Sequence, residues 1–403
     1  MFLVGTKYNK MKQNIKSITI IASDYPSPGK MDYVFVQQLV HAIIDLGIKV
    51  SVIAPQSIVH KLVHRKKFLP KHSQGITEKG IVYDIYRPYT LSFGNKDYFS
   101  KFTRWYNKHA IVSIVEKIGS DVLYSHFWCN ALPIYEYAIN RNYPLFVACG
   151  EGDNALEDMV ANMSSEEIDH LSSAITGVIS VSSENRRKCI DFGLCKKEDV
   201  SVFPNCVNTA IFHKENVTDL KKELDISEDN FVIAFVGMFS SRKGPDRIAK
   251  AITQLNDPQI KVMFIGKKFS GYEYEFDCPG IIHKGSVEHD LLPKYLNCAD
   301  AFVLPTQKEG CCNAIVEALA VGLPVISSDG AFNDDILDEN NSIRINPDDV
   351  DAIAAAIKKL KEDCSLRNKM VEYTLSRHAE YSIEGRARRI IDFIEKQSAK
   401  SIS

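Results

Sequence analysis

No stretch of this 403-residue sequence stays apolar for the roughly 20 residues that a bilayer-crossing helix requires; the longest apolar runs, such as 18–22 and 231–236, are far shorter. A transmembrane segment is therefore not expected. The first 16 residues lack a sustained apolar core and a small-residue cleavage site, so they are not read as a secretory signal. None of the ten cysteines forms a C-x-x-C pair and no repeating framework joins them, which predicts reduced thiols and a cytoplasmic setting. Internal repeats, low-complexity tracts and Pro/Gly-dominated stretches are lacking too. With 45% hydrophobic and 25% charged residues the chain has the composition of an ordinary globular enzyme, long enough for two or three domains.

Charge is nearly balanced overall but not locally. Residues 1–120 carry 18 Lys/Arg against 7 Asp/Glu, a net of +11, so the total of −2 leaves −13 on the rest. The surplus peaks at 60–72, where Lys61, Arg65, Lys66, Lys67 and Lys71 alternate with Leu62, Val63, Phe68 and Leu69. Two readings stand for this segment: a solvated face, or contact with anionic lipid headgroups. Nucleic acid is not an expected partner, because the remainder is acidic and no recognised binding motif accompanies the patch.

Short β-branched runs alternate with amphipathic stretches along the whole chain. Strands are predicted at 17–22, 49–54, 121–125, 144–149, 177–181 and 200–203, then at 231–237, 261–266, 281–284, 301–304 and 324–327. Helices are predicted between them at 34–46, 183–192, 245–255, 291–298 and 313–320. This alternation implies parallel sheets covered by helices on both faces. Eleven strands are many for one open sheet, and a polar stretch at 214–230 interrupts them. The expected architecture is thus α/β with two facing, Rossmann-like doubly wound domains, 1–208 and 209–380, and an interdomain cleft. A final amphipathic helix within 381–403 closes the fold. Ligands of such sheets lie outside the carboxyl ends of the strands.

Two windows carry chemistry. In 300–329 a strand ends at Pro305, a loop holds Glu309 and Gly310, and a helix starts near Asn313 after Cys311 and Cys312. A helix start is a natural anion site because its free N–H groups and its dipole favour negative charge. Glu317, one turn further on, can face the same cleft, and carboxylates suit the hydroxyl pairs of ribose or hexose. In 231–251 a strand ends at Gly237 and a loop brings Arg242 and Lys243 before Gly244 and Pro245 open a helix. Adjacent cations there suit a diphosphate, Arg as a two-pronged donor and Lys as a point charge. Taken singly, each window also fits plain surface charges. Neither a P-loop nor a G-x-G-x-x-G turn is present, and the only D-x-D triplet, Asp349-Val350-Asp351, reads as a helix cap rather than a metal site.

Together the windows resemble the family 4 retaining glycosyltransferases of GT-B fold, whose signature is a glycine and Lys-Gly turn followed by an E-x7-E motif, here Gly237, Lys243-Gly244, Glu309 and Glu317. Residues 23–30, 122–128 and 203–212 resemble that family's first loop, its His-bearing strand end and its interdomain segment. The resemblance implies a metal-independent hexosyltransferase with no cofactor. It would move a hexose or N-acetylhexosamine from a nucleotide-sugar, most commonly UDP-linked in the family. The basic front domain beside such a cleft adds the expectation of a cytoplasmic enzyme at the inner membrane face, with a glycan or lipid-linked acceptor in cell-surface polysaccharide synthesis. The resemblance implies that Glu317 grips the donor ribose, Glu309 the transferred sugar, and Arg242 and Lys243 the diphosphate. Gly29, Gly310 and the residues Cys311, Cys312, Asn313 and Ala314 would complete the donor cradle, and His126 would stand near the reacting sugar. Met238 replaces a frequent Arg and Cys311-Cys312 a frequent Phe-Gly. Glu151 and Asp153 either bind acceptor hydroxyls or cap a turn. A GT-B nucleotide-sugar epimerase, a phosphorylase and a catalytically silent membrane-associated scaffold are the competing readings.

Overall fold

The computed structural model describes residues 15–27, 33–91, 100–152, 154–268 and 275–401. Its strands, in chain order, are β1 (Ser17–Ile21), β2 (Lys49–Ile53), β3 (Gln56–Ser57), β4 (His72–Ile76), β5 (Val82–Tyr86), β6 (Tyr89–Thr90), β7 (Val122–His126), β8 (Leu145–Cys149), β9 (Ile175–Ser180), β10 (Val200–Val202), β11 (Phe231–Val236), β12 (Ile260–Ile265), β13 (Ile281–Gly285), β14 (Ala301–Leu304), β15 (Val325–Ser328) and β16 (Ser342–Ile345). They form two sheets and a small β3–β6 pair. The first sheet runs β10-β9-β8-β7-β1-β2-β5-β4 and the second β13-β12-β11-β14-β15-β16. Every pairing is parallel except β4 on β5.

All eleven expected strands are present within two residues of their predicted bounds. Most are buried on both faces, as parallel strands under helices must be, while β10 and β13, at sheet edges, are only partly buried. Of the strands not foreseen, β4 and β16 lie at sheet edges, β5 lies beside β4, and β3 and β6 form their own pair. His72–Ile76 alternates exposed and half-buried residues, and β16 is four residues long with Arg344 inside it. Edge strands bury little, so they leave weak apolar signals.

In each sheet the strand order reverses at one point. In the first, β1 lies between β2 and β7; in the second, β11 lies between β12 and β14. At such a point two neighbouring strands send their following helices to opposite faces, and a crevice opens beyond their carboxyl ends. The chain leaves the first sheet through 203–212 and returns beside it, where Val207 pairs with Ser382. The Val207 N–H donates to the Tyr381 carbonyl at 2.8 Å and the Ile383 N–H to the Val207 carbonyl at 2.9 Å.

After this return the last helix, Ile383–Ser401, packs on the first sheet. Ile383, Ala387, Ile390, Ile391, Phe393 and Ile394 join a core with Ile18, Ile20, Val36, Leu39 and Phe146. The Phe393 ring lies 6.1 Å from that of Phe146 and 5.5 Å from that of Phe203. Each large apolar side chain so buried contributes about 1.5–3 kcal/mol, enough to hold the chain's end on the domain where it began.

Candidate active site

The loops after β11 and β14 meet at the switch point of the second sheet. Gly244 caps the Pro245–Leu255 helix at φ 72°, and a Cβ there would come 2.5 Å from the Arg247 guanidinium. Glycine thus leaves room for Arg247 to pass beneath. Arg247, 7% exposed, donates to the Ser241 carbonyl at 2.7 Å and to the Pro305 carbonyl at 2.6 Å. One buried guanidinium therefore sets the distance between the cation loop and the glutamate loop.

Those loops converge on one oxygen. Glu309 Oε1 accepts from Lys243 Nζ at 2.6 Å, Arg242 Nη1 at 3.1 Å and Thr306 Oγ1 at 2.6 Å. Arg242 also donates to the Lys308 carbonyl. Burial would lower the Lys243 pKa, but the acidic groups against it, the Cys312 thiol and the Glu309 carboxylate, outweigh it and raise the value above the ordinary lysine range. Lys243 is thus firmly an ammonium. The Asn313–Ala320 helix starts beside it with no side-chain cap, which leaves its first N–H groups turned outward.

Glu317, on that helix, lies 3.9 Å from His289 Nε2. Contact with this carboxylate is the largest influence on His289 and raises its pKa, against the opposing effect of burial. Asp349, of the D-x-D triplet, caps the Val350–Glu362 helix by accepting the Ala352 N–H at 3.0 Å.

Across the cleft, His126 ends β7, buried to 7% exposure. Burial first, and the Arg386 charge second, push its pKa down to about 3, so the ring is neutral at physiological pH. The next residue, Phe127, takes φ 77°, a left-handed conformation costly for a side chain of its size. Two partners hold that corner. Ser125 Oγ donates to the Phe127 carbonyl at 2.8 Å, and Glu151 Oε1 accepts the Trp128 N–H at 3.1 Å. Glu151 Oε2 accepts the Gly150 N–H at 2.9 Å, so this carboxylate is occupied by backbone. Burial raises its pKa while the N–H donors work the other way.

The two domains touch at these loops. Gly310 lies so close to Gly150 that a Cβ on it would meet the Gly150 oxygen at 2.5 Å, and one on Gly152 would meet the Gly310 nitrogen at 2.7 Å. Asn205, in the crossing segment, donates to the Cys311 carbonyl at 3.0 Å and to Asn313 Oδ1 at 2.8 Å. Between the domains lies a cavity of about 300 Å³ whose lining includes His126, Phe127, Arg242, Glu309, Cys311 and Arg386.

The structure thus brings Arg242, Glu309, Gly310, Cys311 and Asn313 together around one cavity with His126 opposite. Lys243 joins them through Glu309 and reaches Cys312, while Gly237, Ala314 and Glu317 do not line that cavity and Glu317 meets His289 instead. Gly29 and Asp153 lie outside the described residues. Arg247, Asn205, His289 and Arg386 were not singled out from sequence. The arginines occupy ordinary-looking positions in amphipathic helices, and Asn205 was visible only as part of a linker.

Residues 216–377 match the family described as glycosyl transferases group 1. The second domain belongs to that family. Over 367 residues the chain is 25% identical to the putative teichuronic acid biosynthesis glycosyltransferase TuaC of Bacillus subtilis (strain 168), covering 85% of this chain and 88% of that one. It is 28% identical over 207 residues to the capsular polysaccharide biosynthesis glycosyltransferase CapM of Staphylococcus aureus, with 48% of this chain and 54% of CapM covered. Among solved structures it resembles the sucrose-phosphate synthase of Thermosynechococcus elongatus with a TM-score of 0.74, 16% identity and coverage of 96% of this chain and 100% of that one. It also resembles Anabaena Alr3699/HepE in complex with UDP, with a TM-score of 0.70, 14% identity and coverage of 95% and 100%. The fold is GT-B: two Rossmann-like domains facing one cleft, with C-terminal helices.

Proposed function

We propose that this group 1 glycosyltransferase moves a hexose or N-acetylhexosamine from a UDP-sugar, with retained anomeric configuration, to a glycan or lipid-linked acceptor of a cell-surface polysaccharide. The observation that carries this reading is the Lys243–Arg242–Glu309 cluster at a sheet switch point, beside an uncapped helix start and facing His126. An arriving diphosphate offers the two cations richer anionic partners than one carboxylate oxygen. Arg242 and Lys243 turn to it, the N–H groups at Asn313 and Ala314 complete the cradle, and Glu309 is released to accept hydroxyls of the sugar. Glu317, on the same helix as those N–H groups, is assigned the ribose diol.

In the transfer step the bond from the anomeric carbon to the diphosphate oxygen breaks while the acceptor oxygen bonds to that carbon on the same face. The acceptor's proton passes to the departing diphosphate. No side chain need act as nucleophile. The protein's part is orientation and stabilisation of the charge that collects on the leaving group. His126 stays neutral and can only donate or accept a hydrogen bond. UDP is favoured by the relatives: HepE is described in complex with UDP-glucose, and an Escherichia coli relative, 28% identical over 216 residues, is a UDP-Gal:alpha-D-GlcNAc-diphosphoundecaprenol alpha-1,3-galactosyltransferase.

Thermal stabilisation by UDP, GDP and ADP, followed by sugar transfer with the stabilising nucleotide's sugars and NMR of the product anomer, tests this reading. UDP is expected to stabilise and the product to keep the donor's configuration. Stabilisation by none of the three at millimolar concentration overturns the nucleotide assignment, and an inverted product overturns retention. Release of a C2 epimer without acceptor would favour the epimerase.

The basic segment supports a membrane-surface location. Leu62 and Val63, on the short Ile58–Val63 helix, are 65% and 69% exposed, and Phe68 is 39% exposed among lysines. Apolar tips ringed by cations suit an anionic interface. Among the described residues no helix is long and apolar enough to cross a membrane. Sedimentation with anionic vesicles at low salt, lost with neutral vesicles, is expected; equal recovery with both would remove this location.

A further inference from the structure

Arg386 projects from the last helix into the cleft, although that helix belongs to the packing of the first domain. It is 5% exposed, and its Nε donates to the Phe203 carbonyl at 3.2 Å. Among the described residues its guanidinium makes no other side-chain hydrogen bond and has no carboxylate partner. Its charge bears on four neighbours, Tyr124, His126, Cys206 and Cys311. The rings of Tyr124 and His126, two positions apart on β7 and so on one face, have centroids 6.2 Å apart. The Tyr124 hydroxyl and His126 Nδ1 are both buried without a hydrogen-bond partner. A cation with no carboxylate beside it, next to polar atoms left without hydrogen-bond partners, is costly unless something pairs with it. Such a group is consistent with a site completed by a ligand.

The chemistry specifies the ligand. A guanidinium only donates and carries a positive charge, and the imidazole beside it can present an N–H, so the partner that suits both is an anion. A planar carboxylate matches the fork with two oxygens. The position separates this anion from the diphosphate. The cavity lining includes Arg386, His126, Glu309, Gly310 and Cys311 but not Tyr124, Lys243, Cys312, Ala314 or Glu317. It therefore lies on the sugar side of the glutamate loop. We propose that Arg386, with the His126 imidazole beside it in the cavity wall, forms a carboxylate subsite that selects an acidic sugar of the uronic acid class, as donor or as acceptor residue. This rests on the nucleotide-sugar reading above for its place in the reaction, but the anion site stands or falls separately.

Titration calorimetry on the full chain separates the sources. UDP alone reports the nucleotide site. UDP-glucuronate against UDP-glucose reports a donor carboxylate, and free glucuronate against glucose, with and without saturating UDP, reports an acceptor carboxylate. In at least one arm the acidic ligand is expected to bind about ten- to a hundredfold more tightly than its neutral counterpart, the value of a charge-assisted bond. Arg386→Met should abolish that preference while UDP binding stays within about twofold, and Arg386→Lys should restore part of it. Equal binding of acidic and neutral ligands by the wild-type protein in every arm overturns the proposal, as does a preference that survives in a folded Arg386→Met protein. Should that variant not fold, the wild-type arms and Arg386→Lys decide, a full wild-type preference in the lysine variant overturning the proposal. Absence of UDP binding alongside a preference for glucuronate would overturn the nucleotide reading and leave the subsite standing.

Discussion

Lys243 Nζ stands 2.6 Å from Glu309 Oε1, so the ammonium group proposed to meet a donor diphosphate is held by the same carboxylate proposed to meet the donor sugar. The pair holds both groups in place until a ligand separates them. Two roles that look independent in sequence are mechanically one.

Lys243→Ala should therefore damage catalysis more than folding. Glu309 keeps Arg242 and Thr306 as partners, so the melting temperature is expected to move little. Loss of a preorganised cation at the leaving group costs roughly 3 kcal/mol of transition-state stabilisation, about a hundredfold in rate. Transfer kinetics within threefold of wild type would count decisively against the assignment.

Arg247→Met removes two charge-assisted bonds to the Ser241 and Pro305 carbonyls. Urea unfolding should show a loss on the order of 3 kcal/mol, with weakened nucleotide binding because the two site loops part. Lysine cannot reproduce the fork, so Arg247→Lys should recover at most half. A lysine variant as stable as wild type would show that the fork geometry is unimportant.

His289 gives a pH signature. Its folded pKa is raised by Glu317, so its contribution is complete below the unfolded value near 6.5 and fades as pH rises through the higher folded value. Wild type should exceed His289→Asn in melting temperature at about pH 5.5, and the gap should close by about pH 8.5. A gap that widens with pH contradicts the pairing.

Gly310→Ala would place a methyl group 2.5 Å from the Gly150 oxygen, against backbone that cannot swing aside as a side chain can. The domains must then part slightly at the cleft. Donor-sugar affinity should fall, with the melting temperature changed much less, because the contact lies between the cores rather than inside one. Unchanged binding of the sugar nucleotide would mean that closure at this point is not needed.

Periodicity alone placed all eleven expected strands and the helices that flank the site, because most parallel strands under two layers of helix are apolar on both faces. The strands β4, β5 and β16 escaped notice because each is short and only partly buried, β4 and β16 at sheet edges and β5 beside β4. Among the clustered residues, Lys243 and Glu309 were legible since each sits in a loop whose neighbours announce it. Arg247 and Arg386 were not. Each is one cation among several in a helix, and nothing local distinguishes the one that turns inward.

The order of residues settled the two-layered strands, the loops at their carboxyl ends and the kind of chemistry those loops carry, since these follow from local pattern and residue type. The tertiary structure alone decided which groups meet. Glu309 reaches its cations through a strand order that sets β14 beside β11, and Arg386 reaches His126 because the last helix returns to the first domain. Contacts between residues far apart in the chain depend on topology and packing, and a local pattern holds no record of either.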